Sequence, residues 1–194
     1  MNGLEPESKR GEVYFMIKRI NTRKIAFAGV IAALYATLTI ALGFISYGPI
    51  QFRIAEALCI LPFFFPFSVW GLFIGCIVAN LVSPYPLDII VGSLASLLAA
   101  LSTMQIGKLG RERLSVKAFA CLPPVLFNAV FIGALIAFYM VSEGEADAFI
   151  SALVINGLQV GFGQLVVLYA LGLPLMIYFP KSRAYEKLLE HYNG

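Results

Sequence analysis

The chain has 194 residues, of which 60% are hydrophobic and only 13% are charged, with a formal net charge of +3. This composition is too apolar for a soluble domain of this size and is typical of a protein embedded in a lipid bilayer. The three cysteines, Cys59, Cys76 and Cys121, lie far apart in apolar segments, so neither a disulfide framework nor a metal site is expected. The lone histidine, His191, lies near the C-terminus and excludes histidine-based catalysis inside the membrane. We expect no nucleic acid as a partner.

Apolar segments and basic clusters alternate along the chain. The apolar segments run approximately over 24–45, 54–82, 87–106, 118–141 and 149–179. All Lys and Arg residues except Arg53 fall in three clusters, which are Lys9, Arg10, Lys18, Arg19, Arg23 and Lys24, then Lys108, Arg111, Arg113 and Lys117, then Lys181, Arg183 and Lys187. Because cytoplasmic loops are enriched in basic residues, all three clusters are predicted to be cytoplasmic.

The segment 54–82 decides the number of membrane crossings. As one helix it would put the second basic cluster outside, but Pro62 and Pro66 break a helix. We therefore predict a short helix near 54–64, tilted or partly sheltered by its neighbours, and another near 67–82. The result is an all-α membrane protein with six transmembrane helices and both termini cytoplasmic. Its parts are an N-terminal segment 1–23, a transmembrane domain 24–180 and a tail 181–194, with outer loops 46–53, 83–86 and 142–148.

The first helix carries a stripe of small residues. Ala28, Ala32 and Ala36 recur every four residues, with Gly29 and Ala33 beside them. Such a stripe lets another helix approach closely. Docking of a partner subunit and packing within the same chain are both compatible with this pattern.

Polar residues in and beside the apolar segments are candidates for ligand binding. The amides and the acid are Asn80, Asp88, Gln105, Asn128, Asn156, Gln159 and Gln164. Buried amides often hydrogen-bond another helix, and an acid at a helix start is favoured by the helix dipole, so structural roles remain open for each. Asn156 and Gln159 share one helix face, and their donors and acceptors suit the edge of a heterocyclic base. Tyr47 and Tyr85 lie at the outer interface, where a ring can stack on a flat ligand.

The segment 47–56 is the most polar stretch between two long apolar runs. It contains Gln51, Arg53 and Glu56, and Arg53 is the one basic residue placed on the outer side. A charged pair at a membrane boundary is costly unless it is paired, solvated or used. We predict the rim of a ligand pocket here, with a structural Arg53–Glu56 salt bridge as the alternative. Acids in the outer loops, including Glu143, Glu145 and Asp147, favour a cationic ligand by steering, or simply accumulate where lysines are absent.

No catalytic residues and no metal ligands are predicted. The sequence has neither a phosphate-binding loop nor a nucleophile–base pair at membrane depth, which disfavours an ATPase or an intramembrane enzyme. A scaffold or self-assembling channel subunit remains an alternative, in which the first-helix stripe makes homo-oligomers.

The chain resembles the QueT group of substrate-binding S-components of energy-coupling factor (ECF) transporters from about residue 20 to 180. The resemblance is most specific over 47–58, 83–95 and 171–175. It implies an S-component-like bundle in the plasma membrane that binds a vitamin-like solute near the outer face. It further implies docking through Ala28, Ala32 and Ala36 on a transmembrane coupling subunit driven by two ATPase subunits, so that the chain itself needs no cofactor.

The ligands implied by the resemblance are 7-deazaguanine precursors of queuosine, such as preQ1 with its cationic aminomethyl group, or queuine. The expected binding residues are Tyr47, Gln51, Arg53, Glu56, Asn80, Tyr85, Asp88, Asn128, Asn156, Gln159 and Gln164. The family often has Gly-Glu where this chain has Gly163-Gln164, a loss of charge that favours queuine or queuosine over preQ1. An S-component for another vitamin-like solute is the alternative.

Overall fold

The computed structural model describes residues 22–48 and 50–193. Predictions for residues 1–21, which include most of the first basic cluster and of the N-terminal segment, and for Pro49 and Gly194 lie outside the described residues. Within the described ranges the regular secondary structure consists of helices and contains no strand. The all-α prediction is confirmed.

The fold is a bundle of long helices interrupted by short irregular segments. The α-helices of the described chain are α1 Thr22–Ala41, α2 Gly43–Ser46, α3 Ser68–Asn80, α4 Asp88–Ile106, α5 Leu114–Ala120, α6 Leu122–Ser142, α7 Phe149–Val167, α8 Leu173–Tyr178 and α9 Arg183–Asn193. A 3₁₀ helix, Ile54–Phe63, precedes α3, and a π-helical turn, Leu168–Gly172, joins α7 to α8. Two short 3₁₀ turns, Gly107–Leu109 and Phe179–Lys181, follow α4 and α8.

Four helical stretches of the described chain are long and apolar enough to cross a membrane, which makes this a membrane-embedded protein. They are Thr22–Ala41, Asp88–Leu109, Leu114–Ser142 and Phe149–Lys181. The sequence predicted six crossings, and the two others, Ile54–Phe63 and Ser68–Asn80, are apolar helices shorter than a full span. Six crossings and cytoplasmic termini therefore stay predictions.

The segment 54–82 is divided at Pro66 as predicted, whereas Pro62 lies inside the 3₁₀ helix. The 3₁₀ helix ends at Phe63 and α3 begins at Ser68, with Pro66 in the break. A 3₁₀ helix rises about 2 Å per residue against about 1.5 Å for an α-helix, so the two pieces have similar lengths of about 20 Å. The 3₁₀ helix is sheltered as expected, because Ala55 and Cys59 are fully buried inside the bundle.

The small-residue stripe of α1 packs against α3. A Cβ atom on Gly71 would lie 2.5 Å from the carbonyl oxygen of Ala28, and one on Gly75 would lie 2.8 Å from that of Ala32. Ala28 and Ala36 are buried in this contact, and Ala32 is partly buried. The structure therefore supports the alternative in which the stripe packs within the chain, because two small-residue stripes let the helix backbones approach closely.

The C-terminal segment packs on the bundle as helix α9. Tyr185 and Tyr192 place their rings 5.7 and 5.3 Å from the ring of Phe65, next to the break before α3. The Phe67 backbone N–H donates to the Tyr192 hydroxyl at 3.1 Å, and Lys24 lies 5.0 Å from the Tyr192 ring. Lys24 of the first basic cluster thus contacts the helix that carries Arg183 and Lys187 of the third. The placement of the clusters on one side of the membrane stays a prediction.

Candidate ligand site

A cavity of about 600 Å³ lies where the three predicted outer loops meet. Segment 47–51, the turn after α3 and the loop between α6 and α7 all contribute to its wall. The lining residues are Tyr47, Gly48, Gln51, Tyr85, Ile136, Met140, Glu145, Ala146, Asp147, Ala148, Ser151, Ala152, Ile155, Asn156 and Gln159. A concave site of this size is typical of small-molecule pockets, and its lining is an even mixture of polar and apolar groups.

Gln51 presents a buried amide to this cavity. Its residue is only 4% exposed, and in the described chain its side chain has no hydrogen-bond partner. The segment carrying it rests directly on α7, since a Cβ on Gly163 would lie 2.5 Å from the Gln51 carbonyl oxygen. Phe52 adds an edge-to-face contact with Phe162 of α7, with ring centroids 6.5 Å apart. The glycine therefore permits the close approach that puts the Gln51 amide in the cavity wall.

The second amide group comes from α7, where Asn156 and Gln159 share the face predicted from their spacing. The Asn156 amide nitrogen donates to the Ala152 carbonyl oxygen at 2.8 Å and contacts the Met140 sulfur at 3.2 Å. Both contacts use the nitrogen, so the amide oxygen of Asn156 is available to a ligand. Gln51, Asn156 and Gln159 together offer the donors and acceptors that a heterocyclic base edge requires.

Two tyrosines complete the wall. The Tyr85 ring lies 4.9 Å from the Tyr139 ring at an angle of 32°. Burial, and then the negative charges of Glu143 and Glu145, raise the pKa of Tyr85, which keeps its phenol neutral. The Tyr47 hydroxyl donates to the Ala79 carbonyl oxygen at 2.6 Å, which fixes that ring at the cavity edge.

Arg53 and Asp88 form a buried ion pair outside the cavity lining. Arg53 Nη2 lies 3.5 Å from Asp88 Oδ2, and the two side chains are 1% and 3% exposed. Asp88 also accepts a hydrogen bond from the Ser83 hydroxyl at 2.9 Å, and its backbone oxygen accepts one from Asn80 at 2.9 Å. The guanidinium lies 5.5 Å from the Tyr47 ring, in cation–π range. This cluster joins segment 50–53 to the turn between α3 and α4.

Glu56 has different partners from those of Arg53. Its carboxylate accepts hydrogen bonds from the Tyr35 hydroxyl at 2.5 Å and from the Cys59 thiol at 2.9 Å, and it is fully buried. The structure therefore pairs Arg53 with Asp88 instead of forming the Arg53–Glu56 salt bridge considered from the sequence. Glu56 joins the 3₁₀ helix to α1.

Three further amides predicted to bind ligand are buried in the bundle and do not line the cavity. They are Asn80, Asn128 and Gln164, each 1% exposed. Asn80 bonds to Asp88, whereas both polar atoms of Asn128 and the side-chain oxygen of Gln164 lack a partner within the described chain. An unpaired buried polar atom costs about 1–3 kcal/mol. The same cost applies to Nε and Nη2 of Arg53, Oδ1 of Asp88 and Oδ1 of Asn80, which also lack hydrogen-bond partners within the described chain. The predicted role of the three amides in binding stays a prediction.

Residues 25–181 match the protein family described as QueT transporter. The chain belongs to the QueT transporter family. It is 41% identical over 83 residues to the Queuosine precursor transporter QueT of Lactococcus lactis subsp. cremoris (strain MG1363). That alignment covers 42% of this chain and spans about half the length, 49%, of the curated relative it matches. No solved structure matches this QueT-family chain.

Five of the residues predicted from the sequence to bind ligand line the cavity of this QueT-family chain. They are Tyr47, Gln51, Tyr85, Asn156 and Gln159. The sequence prediction did not include Glu145 and Asp147 in that set. The acidic composition of loop 142–148 was a signal for them, but composition alone does not show which acids of a loop turn toward a cavity. The apolar wall, for example Ile136 and Met140, carries no sequence signal that separates it from lipid-facing residues.

Proposed function

We propose that this protein is the substrate-binding subunit of an importer for a queuosine precursor and binds a 7-deazaguanine base in the cavity. Membership of the QueT family and the name of the Lactococcus lactis relative, a queuosine precursor transporter, support this substrate class. The observation that carries the proposal is the group of buried and half-buried amides, Gln51, Asn156 and Gln159, that line one cavity together with Tyr47 and Tyr85.

The chemistry of the cavity suits a flat base with a hydrogen-bonding edge. The amides pair with the guanine-like edge, because each offers a donor and an acceptor within one side chain. Tyr47 or Tyr85 stacks on the ring system. Segment 47–53 closes over the bound base and excludes water, which strengthens every hydrogen bond inside.

Energy for import comes from partner subunits, because the sequence has no phosphate-binding loop. In this proposal the chain is the S-component of an ECF transporter in the plasma membrane, with both termini cytoplasmic, and it docks on a coupling subunit driven by two ATPases. Ala28, Ala32 and Ala36 are the docking residues implied by the resemblance, but Ala28 and Ala32 contact α3 and Ala36 is buried. The neighbouring residues Gly29 and Ala33 are exposed on α1, so docking uses this adjacent small-residue face.

Calorimetric titration of the purified full chain tests the proposal. We expect saturable one-to-one binding of preQ1, preQ0 or queuine and none of adenine. Gln159→Ala removes one side-chain hydrogen bond to the base, and we expect affinity to fall about threefold to tenfold. The matched control is Gln105→Ala, which removes an exposed amide beyond the cavity at the far end of α4. Absence of binding by any deazaguanine to a demonstrably folded protein would remove this substrate class.

Crosslinking separates the proposal from the alternative of a scaffold or channel subunit. A photoreactive residue in place of Ala33 is expected to capture a heterologous transmembrane subunit in native membranes. Capture of copies of the same chain alone would favour the self-assembling alternative.

A further inference from the structure

Residues 110–113 form the short connection between two membrane-spanning stretches, Asp88–Leu109 and Leu114–Ser142. Gly110 makes the reversal of the chain possible, because its φ of 145° lies in a region that favours glycine. A connection this short cannot carry its side chains far from the bilayer. The second basic cluster therefore lies at the level of the lipid headgroups.

Lys117 differs from the other members of this cluster. Its residue is only 8% exposed, whereas the other three members are exposed. Cys121, one helical turn further on, is fully buried, and its sulfur lies 3.8 Å from that of Met176 in α8. Because residues four apart share a helix face, the aliphatic stem of Lys117 packs on the bundle on the side of α8.

The ammonium group of Lys117 has no counter-charge within the described residues. It forms no salt bridge, and Glu112, the acid nearest to it in the sequence, is beyond salt-bridge distance. Its nitrogen is not among the fully enclosed polar atoms, so the buried stem leads the ammonium to the protein surface. Because buried charges in proteins are paired, a cation held in this way is suited to an external anion.

The surface around this ammonium is apolar as well as basic. Leu109, Leu114 and Phe119, which border the basic side chains, are 67%, 59% and 54% exposed. In a bilayer such side chains contact acyl chains, whereas the cations contact phosphate groups. An anion attached to hydrocarbon tails satisfies both parts of this surface, and a free anion satisfies only the basic part. The chemistry therefore favours a phospholipid as the occupant.

We propose that Lys117 anchors a binding site for one anionic phospholipid, with the lipid phosphate on the ammonium and the acyl chains against the exposed apolar side chains. Arg111 and Arg113 add positive charge beside the headgroup. The site is separate from the cavity, because Tyr85 of the cavity precedes α4 and residues 110–113 follow its other end.

Native mass spectrometry of the purified full chain, titrated in detergent with phosphatidylglycerol or phosphatidylcholine, tests this site. Both lipids carry a phosphate and acyl chains, but phosphatidylcholine also carries a positive charge that cancels the negative one. We expect the wild type to bind one phosphatidylglycerol about tenfold more tightly than phosphatidylcholine. Lys117→Met keeps an unbranched stem and removes the charge, so phosphatidylglycerol affinity should fall about fivefold to tenfold while phosphatidylcholine affinity stays within about twofold.

Lys187→Met is the matched control, because it removes the same charge from an exposed residue of α9. It is expected to change either affinity by less than about twofold. Lys117→Arg keeps the charge and is expected to retain the preference for phosphatidylglycerol. Thermal melting establishes that each variant is folded, and if Lys117→Met does not fold, the wild type and Lys117→Arg decide.

Three results would overturn the site. They are equal wild-type affinity for the two lipids, equal losses in Lys117→Met and Lys187→Met, and a rise in melting temperature with inorganic phosphate as large as that with phosphatidylglycerol. The last result would identify a site for free anions, which needs no lipid. None of these measurements uses a queuosine precursor, so failure of this inference leaves the proposed function as it is.

Discussion

Breaking the buried Arg53–Asp88 pair is the sharpest test of the polar cluster. At the observed separation of 3.5 Å, two unit charges attract by about 5 kcal/mol at an effective dielectric constant of about 20. Desolvation of the two nearly inaccessible side chains offsets much of this attraction. Removal of one partner alone is more destabilising than removal of both, because it leaves the other charge buried without a counter-charge. We therefore expect Arg53→Met or Asp88→Asn to lower the free energy of unfolding by about 3–5 kcal/mol.

The double variant Arg53→Met/Asp88→Asn removes both charges and is expected to lose less than the sum of the single losses, with a coupling of about 1–3 kcal/mol. The measurement is detergent-induced unfolding in mixed micelles, followed by the circular dichroism of the helices. Lys108→Met is the matched control, since Lys108 is an exposed cation. Single losses below about 1 kcal/mol, or additive losses in the double variant, would refute an energetically coupled pair.

Three further substitutions test the packing that positions the site. Gly163→Val drives a side chain into the Gln51 backbone, and we expect weaker ligand binding in titration together with a loss of about 1–3 kcal/mol in unfolding free energy; binding equal to wild type would contradict the close approach. Gly75→Val pushes α1 away from α3, so we expect a similar loss of unfolding free energy, measured as a lower unfolding midpoint. An unchanged midpoint would argue against the close contact between the two helices. Tyr192→Phe keeps the ring stack but removes the acceptor for the Phe67 N–H, so about 0.5–1.5 kcal/mol should be lost, whereas Tyr192→Ala should lose more if the rings also stabilise the contact.

Local chemistry made part of this architecture predictable from the sequence. The break between the 3₁₀ helix and α3 follows from Pro66, because proline restricts its own backbone and that of the residue before it, whereas Pro62 is accommodated inside the 3₁₀ helix. The meeting of the three loops at one end follows from the alternation of basic clusters with apolar segments. Asn156 and Gln159 were assigned to one cavity wall because helical spacing puts them on one face.

Features that depend on the rotation of one helix against another were not predictable. Arg53 has two acids within reach along the sequence, Glu56 three residues on and Asp88 beyond α3, and only the packing of α4 shows that the second is its partner. The stripe on α1 is equally ambiguous, since nothing in its spacing indicates whether α3 or another protein covers it. The docking of α9 depends on contacts with residues more than a hundred positions away, such as Phe67 with Tyr192.

The ion pair and the cavity are connected by one short segment without regular secondary structure. Gln51 and Arg53 are two residues apart, both are buried, and Phe52 between them contacts Phe162 of α7. Because a single residue separates them, whatever fixes Arg53 also restricts the position of Gln51. Arg53 does not line the cavity, and its guanidinium is balanced by Asp88. Arg53 is therefore best understood as a positioning residue, whose buried charge holds the segment against the α3–α4 turn and so keeps the Gln51 amide in the cavity wall.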